Sequence, residues 1–259
     1  MGSKIADMVK EMNAGFDREP IKLFTLPEDR LSSMPAVLRN YIKQTGIQDH
    51  TTIQTVRLSQ SGLFRMKPDG VWTPFKAEQY INVPKNSFIW HAKMRIKKVL
   101  SFDVVDSYIK SQGGLTVKLL SLIKVVDESG DEINQGELLR FICECMWYPS
   151  LLLDNRLTIT REPDRRIRVR GEINGHKLDV VINFGRDGLI REFRTRRYYS
   201  NNSGKSKLES WSGYIEKYEK VEGILVPKYF KACWHLDSGD YCYIKANVTK
   251  MDFNKPGAF

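Results

Sequence analysis

The sequence predicts a mainly β (α+β) protein in which a single strongly curved antiparallel sheet forms an open or half barrel. Three observations carry this prediction. Apolar and polar residues alternate over many consecutive short segments. Turn-forming dipeptides such as Asn174-Gly175 and Asp187-Gly188 separate those segments. Only one central segment, 135–147, has helical spacing of its apolar residues. Many antiparallel strands around one helix are typical of a curved sheet rather than of two domains.

The C-terminal half is expected to be a meander of about seven strands. Ile167 and Val169 alternate with arginines, and the pattern resumes after the Asn174-Gly175 turn with Leu178, Val180 and Ile182. Besides these two strands, the alternation predicts strands near 156–161, 189–199, 207–219, 225–236 and 240–251.

The N-terminal half is expected to begin with helices and to continue as sheet. Helices are predicted near 3–13 and 35–44, and the strands that follow are predicted near 51–60, 62–67, 76–83, 87–96, 101–110 and 114–125. The helix at 135–147 ends before Pro149, which cannot continue it. We expect this central helix and the N-terminal helices to cover the concave side of the sheet. Residues 1–25 are predicted to be a helical extension and 26–259 a single open-barrel domain.

Composition sets limits on the class of protein. The chain has 259 residues, and 41 Lys and Arg against 31 Asp and Glu give a formal net charge of +10. Hydrophobic residues are 41% of the total, which excludes a disordered or collagenous chain. No apolar run approaches the roughly 20 residues of a membrane span. The chain as given is therefore expected to be soluble, in the cytoplasm or at the periphery of a membrane.

The cysteines and the missing motifs argue against bound cofactors. Cys143, Cys145, Cys233 and Cys242 include no CxxC pair, so we expect no metal site. A P-loop, a GxGxxG turn and a GxSxG elbow are also absent from the sequence, and we expect no other cofactor. A disulfide between Cys233 and Cys242 is possible, but four buried free thiols of a cytosolic protein are the favoured interpretation.

Several motifs in fixed order carry a family resemblance from about Leu26 to the end of the chain. They are Gln60-Ser61-Gly62-x-Phe64, Trp72-x-Pro74-Phe75-x-Ala77-Glu78-Gln79-Tyr80, Phe88-x-Trp90, Asp106-Ser107-Tyr108, Lys118-Leu119-Leu120, Gln135-Gly136-Glu137-Leu138-x-Arg140, Trp147-Tyr148-Pro149 and Trp234-His235-x-x-x-Gly239-Asp240. The sequence thereby resembles an uncharacterised prokaryotic family that is catalogued as a domain of unknown function.

The resemblance implies more than membership. The family is similar in presumed fold to Lol-type lipoprotein carriers, whose unclosed antiparallel barrel holds acyl chains against a concave apolar face. Many members begin with a membrane segment, so the resemblance also implies that a native N-terminal membrane segment precedes the sequence as given. This step is an analogy of fold, and one fold hosts many functions.

The leading functional hypothesis is a binding module for a hydrophobic or amphipathic ligand, most simply a lipid, acting as carrier or sensor. Aromatic residues and one arginine of the predicted sheet and central helix are the candidate ligand-binding residues: Trp72, Phe75, Tyr80, Phe88, Trp90, Arg140, Trp147, Tyr148, Trp211 and Trp234. The alternative for this aromatic set is an ordinary packed core.

Charged residues of the central helix suggest a polar end to the predicted cavity. Glu137, Arg140 and Glu144 fall on one helical stripe, where Arg140 is the candidate for binding a carboxylate or phosphate head group. The alternative is a solvent-exposed face with ordinary ion pairs. A cofactor-independent enzyme remains the competing function, with Glu78, Glu137 or Glu144 as acid or base on a small hydrophobic substrate. A binding module is favoured over an enzyme.

The basic excess is concentrated in the C-terminal meander. Arg166, Arg168 and Arg170 are predicted to share one outer face, near Arg191, Arg194, Arg196 and Arg197 on a nearby strand. Such a face could contact an anionic membrane surface, although nearby acidic residues also allow cross-strand ion pairs. Nucleic acid is not the expected partner, because the aromatic residues do not interleave with the arginines as a stacking platform requires.

Overall fold

The computed structural model describes residues 2–16, 32–47, 52–96, 100–200 and 206–259. Its helices are α1 (Gly2–Met12), α2 (Ala36–Thr45) and α3 (Asp131–Cys143), with 3-10 helices at Glu144–Trp147 and Pro149–Leu153. The strands are β1 (Thr55–Phe64), β2 (Thr73–Asn82), β3 (Ser87–Ile96), β4 (Leu100–Ile109), β5 (Gln112–Leu119), β6 (Ile123–Glu128), β7 (Leu157–Glu162), β8 (Arg166–Ile173), β9 (His176–Phe184), β10 (Ile190–Ser200), β11 (Ser206–Val221), β12 (Ile224–Leu236) and β13 (Gly239–Phe253).

Within the described ranges, thirteen strands form one antiparallel sheet in the order β6-β5-β4-β3-β2-β1-β13-β12-β11-β10-β9-β8-β7. Neighbours in this order are neighbours in sequence except at one place, where β1 pairs with β13. The sheet is not closed, because β6 and β7 are its edges and do not pair with each other in the part of the chain that the structure describes. The predicted open antiparallel architecture is thus confirmed, as are the seven strands of the C-terminal meander.

The strands of the N-terminal half differ from the prediction at two places. The segments 51–60 and 62–67 are one strand, β1, since Gly62 continues the pairing with Phe75 and Ala246 rather than interrupting it. The segment 114–125 is two strands, because Leu120 and Ser121 turn the chain with φ values of 51° and 61°. A left-handed conformation is uncommon for leucine, so this turn has no sequence signal.

The central helix packs inside the curve of the sheet. It contacts β4 and β5 near one edge of the strand order and β9 and β10 near the other. One helix can touch strands so far apart in the order only if the sheet bends around it. Leu138, Phe141 and Ile142 of α3 are fully buried in the main hydrophobic core. The helix lies at 131–143 rather than 135–147, because residues 144–147 tighten into a 3-10 turn.

The two N-terminal helices lie on opposite faces. Tyr41 and Ile42 of α2 belong to the main core, and Tyr41 packs edge to face on Phe184 at 5.8 Å. Ile5 and Val9 of α1 instead form a separate cluster with Tyr80 and Ile89, residues that point away from the side that Trp90 faces. The prediction that the N-terminal helices cover the concave side is therefore wrong for α1. The predicted boundary between residues 25 and 26 lies outside the described residues and stays a prediction.

Among the described residues, none of the helices combines the length and the apolar character that crossing a membrane requires.

A disulfide joins Cys233 of β12 to Cys242 of β13, and Cys143 and Cys145 are free and buried. The favoured interpretation of four free thiols is therefore wrong for one pair. The physical reason is the pairing register, which sets Cys233 directly opposite Cys242 on the neighbouring strand.

Reducing this disulfide is expected to destabilise the protein moderately. The bond closes a loop with a sequence separation of 9, for which the loss of unfolded-state entropy contributes about 2.5 kcal/mol. Urea unfolding of the Cys233→Ser/Cys242→Ser variant, followed by circular dichroism, measures the difference. The Cys143→Ser variant under the same conditions serves as the control for removing a thiol. An unchanged free energy of unfolding on loss of the pair would contradict the expectation.

Candidate functional site

A cavity of about 630 Å³ lies between the concave face of the sheet and the C-terminal part of α3. Its wall comes from both halves of the chain and is largely aromatic, with Trp90, Trp147, Phe193, Trp211, Phe230, Trp234, Tyr241 and Tyr243 among the lining residues. Trp147 and Phe230 pack edge to face with ring centres 5.5 Å apart. Met66, Lys67 and Pro68, from the loop after β1, also line it.

The structure places five of the ten candidate ligand-binding residues in the cavity wall: Trp90, Arg140, Trp147, Trp211 and Trp234. They come from four different elements, β3, α3 with its 3-10 extension, β11 and β12. The strand residues reach the same space because each is in the inward-facing phase of its strand. In β11 and β12, for example, Trp211 and Trp234 are cross-strand partners.

The other five candidates do not line the cavity. Phe75 and Phe88 are on the concave face but are covered, Phe75 by the edge of Trp90 and Phe88 by the guanidinium of Arg140 at 4.7 Å. Tyr148 is buried behind α3 and donates a hydrogen bond to the Phe141 carbonyl oxygen at 2.6 Å. Trp72 lies beside the guanidinium of Arg65, 4.8 Å from its ring centre.

Tyr80, the fifth of these, lies with Glu78 on the convex face of the sheet. The expected cavity between Tyr80 and Trp90 is therefore wrong. In the observed register Trp90 pairs with Gln79, whereas Tyr80 pairs with Ile89, and alternation turns the two pairs to opposite faces. The Tyr80 hydroxyl donates to Glu78 at 2.7 Å. Glu78 is thus separated from the cavity by the sheet itself.

Arg140 is the centre of a polar cluster at one end of the cavity. Its Nε donates to Glu144 at 2.9 Å, its Nη1 donates to Asp106, and a Glu137 oxygen lies 4.0 Å from Nη1. The guanidinium also lies over the rings of Phe88 and Trp90. Of the two alternatives for the charged stripe of the helix, the structure has the one in which it faces inward.

A chain of hydrogen bonds anchors Glu144 to the sheet. Trp90 Nε1 donates to Gln60 Oε1 at 2.8 Å, Gln60 Nε2 donates to Gln79 Oε1 at 3.4 Å, and Gln79 Nε2 donates to Glu144 Oε2. Gln60 and Gln79 are buried, so their amides need these partners. Glu144 therefore accepts hydrogen bonds from both Arg140 and Gln79.

Glu137 is a buried member of the same cluster. Burial, reinforced by the nearby Asp106 carboxylate, raises the pKa of Glu137 to about 8, although Arg197 and Arg140 oppose the shift. Its Oε2 and the Oδ1 of Asp106 are both buried and lack a hydrogen-bond donor among the described residues. A proton on Glu137 lets the two carboxyl groups share a hydrogen bond, which accounts for both oxygens.

Two members of the cluster, Asp106 and Arg197, are not among the candidates from the sequence. Arg197 was expected on the outer basic face, yet it is buried and its Nη2 donates to Glu137 Oε1 at 3.0 Å. A signal for its position exists in β10, where Arg197 is in phase with Phe193 and Tyr199, and both of these line the cavity. Asp106 likewise faces the same side of β4 as Val104, two residues earlier, and both line the cavity.

The arginines of β8, Arg166, Arg168 and Arg170, are engaged in ion pairs. Arg168 makes two hydrogen bonds to Asp179, at 2.7 and 2.8 Å, and Arg170 lies 3.6 Å from the same carboxylate. Arg166 lies 3.3 Å from Asp164. Burial is slight at Arg168, and the pKa of Asp179 is lowered chiefly by its hydrogen bond to Arg168. The pairs with Asp179 are the cross-strand pairs that the sequence allowed, and the pair with Asp164 lies within the turn before β8.

The sequence was compared with curated proteins and with solved structures. No curated protein matches it. Solved structures align with it at low identity. A LolA superfamily protein from Nitrosomonas europaea has 10% identity, with 78% of this chain and 87% of that chain covered and a TM-score of 0.44. A putative outer membrane lipoprotein-sorting protein domain from Vibrio parahaemolyticus has 9% identity, coverage of 78% and 86%, and a TM-score of 0.38. A DUF1329 family protein from Desulfovibrio piger has 8% identity, coverage of 88% and 92%, and a TM-score of 0.39.

One family model covers most of the sequence, residues 24–246. It includes β1 to β12, α3 and the polar cluster around Arg140. The resemblance to a family of unknown function is thereby confirmed, and the chain belongs to the family of unknown function DUF6544.

Proposed function

We propose that the protein binds a hydrophobic or amphipathic ligand, such as a lipid, in the cavity between α3 and the concave face, as a carrier or sensor. The observation that carries the proposal is the cavity itself. Its volume of about 630 Å³ falls within the range of roughly 300–1,000 Å³ that is usual for small-molecule sites. Its wall is largely aromatic, with a few polar groups at one end, as such sites commonly are.

The alternative of an ordinary packed core fits this cavity less well. Protein interiors are close-packed and contain few voids larger than a water molecule. Aromatic side chains that line an empty space lose dispersion contacts on that side. A ligand with an apolar body would restore those contacts to Phe64 and Phe230, which line the space and are partly exposed.

Native mass spectrometry after gentle purification tests the proposal. We expect the protein to carry apolar molecules that dissociate on activation in the gas phase, and decanoate or decanol added to stripped protein to bind. Ala232 is a small residue of the cavity wall, so the Ala232→Trp variant fills part of the space. We expect that variant to bind these ligands at least about tenfold more weakly.

Ala6→Trp is the matched control, because Ala6 is exposed on α1. That variant adds the same side chain outside the cavity and should bind as the unaltered protein does. Circular dichroism checks that both variants are folded. Binding that is equal in the two variants, or the absence of any bound apolar molecule in the unaltered protein, would contradict the proposal.

A second candidate function rests on Glu137. A buried carboxyl group with a pKa of about 8 is suited to general acid or base chemistry near neutral pH. Glu78 is on the other face of the sheet. Glu144 lines the cavity but accepts hydrogen bonds from Arg140 and Gln79. Glu137, which has the raised pKa, accepts a hydrogen bond from Arg197 and lies behind the lining residues, so its proton would reach a substrate only through its neighbours. Recovery of the bound ligand with unchanged mass after incubation would favour a carrier, and a new product would favour the enzyme.

We infer an oxidising compartment as the setting, because stable disulfides such as Cys233–Cys242 are typical of exported proteins. This replaces the cytoplasm as the favoured location. Docking of Arg166, Arg168 and Arg170 on an anionic membrane surface stays a prediction. Their ion pairs with Asp164 and Asp179 reduce the charge available for such a contact.

A further inference from the structure

Arg197 is a buried cation in the cavity wall. Only 9% of its side chain is exposed, and its guanidinium lies 5.3 Å from the ring centre of Trp211 and 5.9 Å from that of Trp234. Its Nη2 donates to Glu137, whereas its buried Nε has no hydrogen-bond acceptor in the part of the chain that the structure describes. Nε lies against α3 beside Gly136 and is closed to a ligand. Nη1 is not enclosed and makes no hydrogen bond to the described residues, so it is the nitrogen that an anion in the cavity can reach.

The other guanidinium of the cluster is already neutralised within the protein. Arg140 contacts Asp106 and Glu144 directly, so two carboxylates compensate one positive charge. Arg197 contacts Glu137 alone among the acidic residues described. The two arginines therefore differ in what they can offer an incoming anion.

The state of Glu137 decides how much of the Arg197 charge is free. Glu137 and Asp106 each have a buried oxygen without a donor among the described side chains, and one proton on Glu137 satisfies both. Since the pKa of Glu137 is about 8, that proton is largely present at pH 7. Arg197 then hydrogen-bonds a neutral carboxyl group and has no ionised partner in contact.

We propose that Arg197, rather than Arg140, binds the anionic head group, a carboxylate or a phosphate, of an amphiphile whose apolar tail lies against Phe64 and Phe230. This inference rests on the proposed function and names the class of its ligand. The indoles of Trp211 and Trp234 beside the guanidinium restrict its movement and exclude water, which strengthens a charge-assisted hydrogen bond.

The site should weaken in alkali. The groups that face Glu137 are Asp106 from β4, Arg197 from β10, Arg140 on its own helix and, more distantly, Tyr243 from β13. As pH rises through about 8, Glu137 loses its proton and becomes an ionised partner for Arg197. The internal carboxylate then competes with the ligand's anion.

The test compares decanoate with decanol, which have the same apolar chain and differ in charge, by isothermal titration with purified protein stripped of ligand. At pH 7 we expect decanoate to bind about tenfold more tightly than decanol. Arg197→Gln should abolish this preference while decanol binding stays within about twofold. Arg168→Gln, which removes an exposed arginine of the outer face, is the matched control and should keep the preference.

Two further measurements test the head-group site without replacing Arg197. In the unaltered protein the preference should shrink between pH 7 and pH 9, and Glu137→Gln should remove this pH dependence because glutamine stays neutral. Equal binding of decanoate and decanol to the unaltered protein would overturn the head-group site and leave the proposed function intact. Failure of both to bind would overturn both proposals. If inorganic phosphate bound as tightly as decanoate, the ligand would not need an apolar chain. This result would overturn the assignment of an amphiphile and indicate a site for free anions.

Discussion

Replacing Arg140 with alanine is expected to lower the free energy of unfolding by about 4 kcal/mol, because it leaves buried carboxylates without their cation. Asp106 and Glu144 both lose their ionic partner, and their side chains are only 15% and 12% exposed. Urea unfolding at pH 7, followed by circular dichroism, measures the change.

Arg168→Ala, which removes an exposed ion pair with Asp179, should cost less than about 1 kcal/mol. A similar loss in both variants would contradict the role given to Arg140.

Gly62→Ala is expected to destabilise the protein by about 3 kcal/mol, an effect large for a single methyl group. A Cβ atom at this position would lie 2.0 Å from the Lys245 carbonyl oxygen and 2.9 Å from the Cα atom of Ala246. Both atoms belong to the backbone of β13, which cannot move away without breaking its pairing with β1. The same urea unfolding experiment measures the loss.

Gly114→Ala is the matched control. Gly114 is also a strand glycine, but the nearest atom to its Cβ would be Ser107 Oγ at 3.7 Å, an ordinary contact. The free energy of unfolding of the Gly114→Ala variant should differ from that of the unaltered protein by less than about 1 kcal/mol. If Gly62→Ala proved as mild as Gly114→Ala, the close approach of β1 to β13 would not be a determinant of stability.

Much of the sheet could be predicted from alternation alone. From β7 to β13 the apolar phase and the Asn174-Gly175 and Asp187-Gly188 turns agree, so local sequence determines each strand. The misassigned elements are those in which tertiary contacts override local signals. Gly62 reads as a break but is required by a neighbouring backbone, and the Leu120-Ser121 turn uses residues that rarely adopt its conformation.

The candidate site was predictable only in part, for a similar reason. Helical spacing grouped Glu137 with Arg140, and the structure places both in the polar cluster. The phase of a strand relative to the cavity depends on which face is buried, and both faces of β2 and β3 are covered, one of them by α1. Tyr80 was therefore assigned to the wrong face. Arg197 was assigned outward because a charged residue usually faces solvent.

The pairing of β1 with β13 also has a consequence for how the chain folds. Every other strand pair joins neighbours along the chain, so β1–β6 and β7–β13 can each form hairpin by hairpin at a low loop-closure cost. The pairing of β1 with β13 joins distant parts of the sequence, as Val56 and Phe253 show. Just beyond it, the Gln54 backbone N–H donates to Asn254, 200 positions away. Contacts between residues so far apart in the sequence form slowly. During synthesis β1 therefore keeps an unpaired edge until the last strand emerges, and in that interval the nascent chain is most exposed to aggregation.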